Sequence, residues 1–144
     1  MRQYAGYVGS LPSMEKTLLK LVGPVHIVGG ITLALLSLIP SLQAPLLASI
    51  FGPQIPLEPA IFLVGVFGPT IASWGVLFTA VVIHYFAKPS PQTWWFLLSS
   101  IAVWVPLDTL LCWYYGVYLG VWLNLAVTAV LLTLLIRVKS LAYH

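Results

Sequence analysis

IFLVGVFGPTIASWGVLFTAVVIHYF, residues 61–86, decides the fold, because it contains no Asp, Glu, Lys or Arg over its whole length. About 20 apolar residues in a helix are enough to cross the hydrocarbon core of a bilayer. With three further stretches of this kind, the predicted spans are about 18–40, 60–86, 93–114 and 118–137. The sequence therefore predicts an all-α, polytopic integral membrane protein with one membrane domain over residues 1–144.

The composition of the chain points the same way. Of the 144 residues, 60% are hydrophobic and 6% are charged, whereas a soluble domain carries roughly 25% charged residues. The basic residues lie between or beyond the apolar stretches and are not interleaved with stacking aromatics, which argues against a nucleic-acid partner. A single cysteine, Cys112, excludes a disulfide within one chain. Membrane lipids are the expected surroundings.

The positive charges all fall on one predicted side of the membrane. The six basic residues precede the first span, connect spans two and three, or follow the fourth: Arg2, Lys16, Lys20, Lys88, Arg137 and Lys139. The other two connections carry no Lys or Arg. The positive-inside rule and the short connections predict an antiparallel four-transmembrane-helix bundle with both termini cytoplasmic. Trp94 and Trp95 are expected at the inner membrane boundary, where tryptophan is enriched.

The connection between the first two spans, 41–59, is rich in proline, with prolines at positions 45, 53, 56 and 59. Proline removes a backbone donor and clashes with the preceding turn of a helix. The segment is also short for another span. We therefore predict an outer loop over 41–59 that lies at the interface or folds back over the helices.

Small residues recur in the first two spans at spacings of three and four. In the first span they form a stripe with one histidine: Gly23, His26, Gly30, Ala34, Ser37 and Ser41. In the second span the stripe consists of Gly65, Gly68, Ala72, Gly75 and Thr79. Small residues mark helix contacts in a bilayer, because lipid does not drive helices together. Both stripes, and His26 with them, are expected to face protein.

Polar residues lie on one face of each of the last two spans. A spacing of four places Ser100, Trp104 and Asp108 on one face of the third span, and Asn124 and Thr128 on one face of the fourth. An isolated carboxylate in a span costs roughly 2.5–3.5 kcal/mol on insertion scales. Asp108 is therefore expected to pair with Asn124, whose amide can donate to it, or to act on a ligand or proton.

His26 and Glu58 complete the candidate set. His26 is interpreted either as a hydrogen-bonded packing residue or as a group that works on a proton or ligand. Glu58 precedes Pro59 at a predicted helix N-terminus, where the helix dipole favours an acid, although it can also serve as a second acid beside Asp108. No HxxxH, ExxH or Cys/His pair is present, so no metal site is predicted, and no cofactor is identified.

Three functions stay open, because a fold does not imply a function. The first is a membrane protein without a catalytic signature that binds an apolar or lipid-like ligand or acts as an accessory subunit of a membrane assembly. The second is an intramembrane enzyme that modifies a lipid, sterol or isoprenoid, with Asp108 and His26 as acid/base groups. The third is a small proton-coupled transporter that works as a homo-oligomer. The candidate ligand-binding residues are His26, Asp108, Asn124, Trp104, Ser100, Thr128 and Glu58.

Overall fold

The computed structural model describes residues 13–51 and 57–143, and all regular structure in these ranges is helical. The helices are α1 (Ser13–Ser37), α2 (Pro40–Phe51), α3 (Leu57–Ala87), α4 (Pro91–Tyr114) and α5 (Tyr118–Val138), with a 3₁₀ turn at Lys139–Tyr143. Helices α1, α3, α4 and α5 are each long and apolar enough to cross a membrane. The prediction of an all-α protein with four such helices is confirmed.

The connection predicted as an outer loop over 41–59 contains a helix, Pro40–Phe51, which is too short to span a membrane, and α3 already begins at Leu57. The place of this connection on the outer side stays a prediction. Pro40 occupies the first helical position, where the missing donor has no consequence. Leu47 is buried, and Gln43 donates from Nε2 to the carbonyl oxygen of Ser37 at 2.9 Å, which ties α2 to the end of α1. These tertiary contacts offset the backbone bond that Pro45 removes inside α2. Residues 52–56 of the predicted loop lie outside the described residues.

Helices α1 and α3 approach each other closely through their stripes of small residues. A Cβ added to Gly68 would lie 2.5 Å from the carbonyl oxygen of Gly30, and one added to Gly75 would lie 2.6 Å from that of Gly23. Only glycine allows two backbones to come this close. Residue numbers fall along α3 as they rise along α1, so the two helices are antiparallel. The contact expected of these stripes is present.

Helices α4 and α5 form a hairpin that turns at Gly116, whose φ of 71° is favoured only by glycine. The turn is closed by two backbone bonds, from Val117 N–H to the carbonyl of Cys112 at 2.8 Å and from Gly116 N–H to that of Trp113 at 3.1 Å. This is the Schellman pattern of a helix C-terminus. One turn into α5, a Cβ on Gly120 would lie 2.7 Å from Sγ of Cys112, so the two arms are in close contact.

A buried apolar cluster joins the four long helices. Its members are Leu19, Phe78, Val82, Tyr85, Trp94, Leu97, Ile101, Leu131, Leu134, Leu135, Val138 and Ala142. Within it, the Tyr85 hydroxyl donates to the carbonyl of Val138 at 2.6 Å, and Trp94 Nε1 donates to that of Leu135 at 2.9 Å. Trp94 is thus a core residue, whereas Trp95 is exposed, and the predicted depth of both at the inner membrane boundary stays a prediction.

Candidate functional site

The carboxylate of Asp108 is paired with Asn124 across the α4–α5 hairpin. Asn124 donates from Nδ2 to Oδ2 of Asp108 at 2.6 Å. The hairpin explains this pairing, because each residue lies eight positions from Gly116, about two helical turns on either side of the turn. Asn124 is buried and Asp108 is half-buried. The hydrogen bond anticipated from their helical positions is therefore present, and it fastens the two arms together.

His26 is tied to its own helix and to an aromatic row. Its Nδ1 lies 2.7 Å from the carbonyl oxygen of Val22, and since a carbonyl only accepts, Nδ1 carries a proton. The imidazole meets the Trp74 ring edge-on, with centroids 4.6 Å apart. Trp74 in turn lies 6.2 Å from the ring of Trp104, one helical turn before Asp108. The imidazole is thus packed against an indole of α3 that itself faces an indole of α4.

The hydroxyls of Ser100 and Thr128 are bonded within their own helices. Ser100 donates to the carbonyl of Leu97 at 2.8 Å, and Thr128 donates to that of Asn124 at 2.6 Å. Such local bonds satisfy a hydroxyl without any ligand. Thr128 therefore touches the Asp108 pair only through the backbone of Asn124.

Glu58 stands apart from the other candidates. It is exposed in the first turn of α3, and among the described residues no contact joins it to Asp108. In the ranges that the structure covers, no three His, Cys, Asp or Glu side chains are grouped to hold a metal ion.

An apolar groove, here called the α4–α5 groove, runs beside the Asp108 pair without including it. Its volume is about 530 Å³, and its walls are Val105, Pro106, Thr109, Leu110, Trp113, Val121 and Leu125. The hydroxyl of Thr109 is buried and, within the described part of the chain, has no hydrogen-bond partner. Pro106 in α4 lacks a backbone N–H, so it cannot donate to the carbonyl one turn earlier in that helix.

The residue pair that sequence reasoning missed is Glu15 with Arg137. Arg137 Nη1 lies 2.9 Å from Oε1 of Glu15, and the Glu15 side chain is only 2% exposed against 60% for Arg137. The second oxygen, Oε2, is buried with no partner in the described residues. The sequence signal that could have pointed to Glu15 is the rarity of acidic residues, since the chain has only three of them. The separation of 122 positions along the chain hid the pairing.

A second groove, here called the α1–α5 groove, opens beside this ion pair. It measures about 350 Å³ and is lined by Met14, Glu15, Ala129, Val130, Thr133, Leu134 and Arg137. It lies at the opposite end of α5 from the turn at Gly116, because Arg137 is in the last turn of that helix.

Comparison of the chain with known protein families, with curated proteins and with solved structures finds no match. Function is therefore inferred from the residues, the helix packing and the two grooves.

The arrangement around Asp108 suits structural pairing better than proton transfer. A general base needs a substrate atom within about 2.6–3.2 Å, directly or through one water. Neither groove is lined by Asp108 or His26. One oxygen of Asp108 is already bound by Asn124, and the imidazole of His26 packs against the Trp74 ring.

Proposed function

We propose that this chain is a non-enzymatic integral membrane protein that binds an apolar, lipid-like molecule in the α4–α5 groove. The groove itself carries the proposal. Its volume of about 530 Å³ falls within the roughly 300–1,000 Å³ of small-molecule sites. Its lining is almost wholly apolar, since the Thr109 hydroxyl is buried beneath the wall, and this favours an apolar ligand over a polar one.

The pairing of the interior polar groups favours binding over catalysis. Asp108 is held by Asn124 and His26 by the carbonyl of Val22, so both act as ties between or within helices. The enzyme and transporter hypotheses need Asp108 free to exchange a proton with a ligand or with water. No residue that lines the α4–α5 groove is an acid or a base that could carry a proton to or from Asp108.

The proposal includes a topology. Four antiparallel spans with both termini cytoplasmic place every Lys and Arg on the inner side, in keeping with the positive-inside rule. The turn at Gly116 then faces outward, and Trp113 in the groove lies at the outer interface, where tryptophan is enriched. The ligand would enter from the outer leaflet.

A second candidate is an accessory subunit or homo-oligomer that uses the same helices. Large side chains on α4 remain uncovered, among them Phe96, Val103 and Leu107. Lipid tails cover such a surface as well as protein does, so this face is weaker support than a formed groove.

The test is native mass spectrometry with lipid analysis of gently solubilised protein. A Leu125→Trp variant fills the α4–α5 groove, and Thr70→Val is the control, because the Thr70 hydroxyl is exposed and bonded to its own helix. We expect one apolar molecule to be retained by wild type and Thr70→Val and to be lost from Leu125→Trp. Asp108→Asn should retain it too, because Asp108 does not line the groove.

Two outcomes would contradict the proposal. A molecule lost from Asp108→Asn but kept by Leu125→Trp would move the site to the Asp108 pair and revive the enzyme or transporter hypothesis. A protein partner or a stable homo-oligomer, with no small molecule in any sample, would identify the chain as a subunit.

A further inference from the structure

The buried acid Glu15 has one satisfied oxygen and one unsatisfied oxygen. Arg137 donates to Oε1, while Oε2 has no partner among the described residues. Buried polar atoms are almost always hydrogen-bonded, so an orphaned carboxylate oxygen calls for a donor beyond those of the described residues. Glu15 lines the α1–α5 groove, and its covered Oε2 becomes reachable from there once a side chain of the groove wall moves aside.

Arg137 has the complementary capacity. Its side chain is 60% exposed, and only Nη1 is engaged by Glu15. A guanidinium carries further N–H donors in a planar fork that matches the oxygens of a phosphate. The same residue therefore neutralises Glu15 and presents donors for an anion at the mouth of the groove.

The rest of the groove is apolar and runs along α5. Ala129, Val130 and Leu134 form its wall, and the hydroxyl of Thr133 is already bonded to the carbonyl of Ala129 at 2.7 Å. Glu15 stands in the first turn of α1 and Arg137 in the last turn of α5. The groove thus has a charged end where two spans end and an apolar length between them, which matches the shape of a phospholipid.

We propose that the α1–α5 groove binds one phosphatidylethanolamine molecule. Its phosphate accepts hydrogen bonds from Arg137, its primary ammonium donates to Oε2 of Glu15, and an acyl chain lies along α5. The pair Glu15–Arg137 is neutral overall, as is this headgroup, and each charge meets its opposite. This site does not depend on the ligand proposed for the α4–α5 groove.

Other phospholipids fit less well, and the difference lies in their hydrogen-bond donors. Phosphatidylcholine has the same phosphate and the same positive charge, but its quaternary nitrogen has no N–H to donate. An anionic lipid without an amine leaves Oε2 unsatisfied. Met14 lines the groove with a largely exposed, unbranched side chain, which a headgroup can displace to reach Oε2 while Arg137 stays on Oε1.

The test compares two lipids that differ only in the three N-methyl groups that replace those donors. Detergent-solubilised protein is titrated with phosphatidylethanolamine and with phosphatidylcholine of matched chains, and bound lipid is counted by native mass spectrometry. A charge-assisted hydrogen bond predicts a preference for the ethanolamine lipid of about tenfold in wild type. Glu15→Gln should bring that ratio close to one, whereas Glu58→Gln, which alters an exposed acid at the start of α3, should leave it unchanged.

A second variant acts on the other half of the headgroup. Arg137→Lys keeps the charge beside Glu15 but loses the planar fork for phosphate. Because both lipids carry phosphate, we expect it to weaken both several-fold and to keep their ratio. Helicity by circular dichroism checks the fold of each variant, and if Glu15→Gln fails to fold, wild type and Arg137→Lys still decide the outcome.

Equal binding of the two lipids by wild type would overturn the proposal. So would a tenfold preference that persists in a correctly folded Glu15→Gln, or a homo-oligomer that excludes lipid from this surface. Leu125→Trp should lose the ligand of the α4–α5 groove but keep the ethanolamine preference, so failure of one site is distinguishable from failure of the other.

Discussion

Asp108 and Asn124 matter most as a pair, and their coupling can be measured. Asn124→Leu leaves the Asp108 carboxyl without its donor in an apolar setting. We expect the free energy of unfolding in mixed micelles to fall by about 1–2 kcal/mol. Asp108→Leu combined with Asn124→Leu removes both polar groups and should recover part of that loss. The control is Ser100→Ala, because the Ser100 hydroxyl is bonded within α4. This variant should lower the free energy of unfolding by less than about 0.5 kcal/mol. Strictly additive single and double variants would show that the two side chains are not coupled.

At this scale the sequence predicts local partners and misses distant ones. Asp108 and Asn124 could be matched because a tight turn lies midway between them, so helical spacing alone aligns their faces. Glu15 and Arg137 have no such relation, since their contact depends on how α5 returns to the start of α1. The burial of Trp94 was missed for the same reason, because its acceptor on Leu135 belongs to another helix.

Among the helices, α1 offers two adjacent glycines with opposite environments. A Cβ on Gly30 would collide with the backbone of α3 at Gly68 and Ala72, whereas one on Gly29 would meet nothing within 4 Å. Gly30→Ala should therefore destabilise the protein by about 1–3 kcal/mol through overpacking. Gly29→Ala should be neutral or stabilise it by up to about 1 kcal/mol, since alanine is the better helix former. Thermal unfolding in detergent compares them, and similar midpoints for both variants would contradict the close packing of α1 on α3.

Element boundaries were predictable where hydrophobicity is continuous and less so where proline intervenes. The four long apolar stretches dictate four long helices, because nothing else satisfies the backbone in lipid. Helix α2 was missed because the prolines of its segment were weighed as helix breakers. Pro24, Pro69 and Pro106 also lie inside helices. Neighbouring helices and local adjustments tolerate such breaks in membrane spans, so proline marks helix ends poorly in this chain.

The two ends of the molecule are held together by different contacts. The apolar cluster around Tyr85 and Leu135 joins the helices toward the end that carries Arg137. The Asp108 pair fastens α4 to α5 nearer the opposite end, beside the turn at Gly116. The two grooves lie near opposite ends, the apolar one near Gly116 and the one with charged residues near Arg137. With the proposed topology these ends face different leaflets, so the direction of insertion would decide which leaflet supplies the lipid of each proposed site.

That direction follows from the basic residues and can be tested with single cysteines. In a Cys112→Ala background, Tyr115→Cys probes the α4–α5 turn, while Lys88→Cys and Lys139→Cys probe the other side; all three positions are exposed. A maleimide that cannot cross membranes should label Tyr115→Cys in intact cells and the other two only after permeabilisation, because the positive-inside rule retains Lys and Arg inside. Labelling of both Lys88→Cys and Lys139→Cys in intact cells would show that the topology is the reverse of the one proposed. Labelling of only one would mean that α4 and α5 do not both cross the membrane, which would remove the outer-leaflet access proposed for the α4–α5 groove.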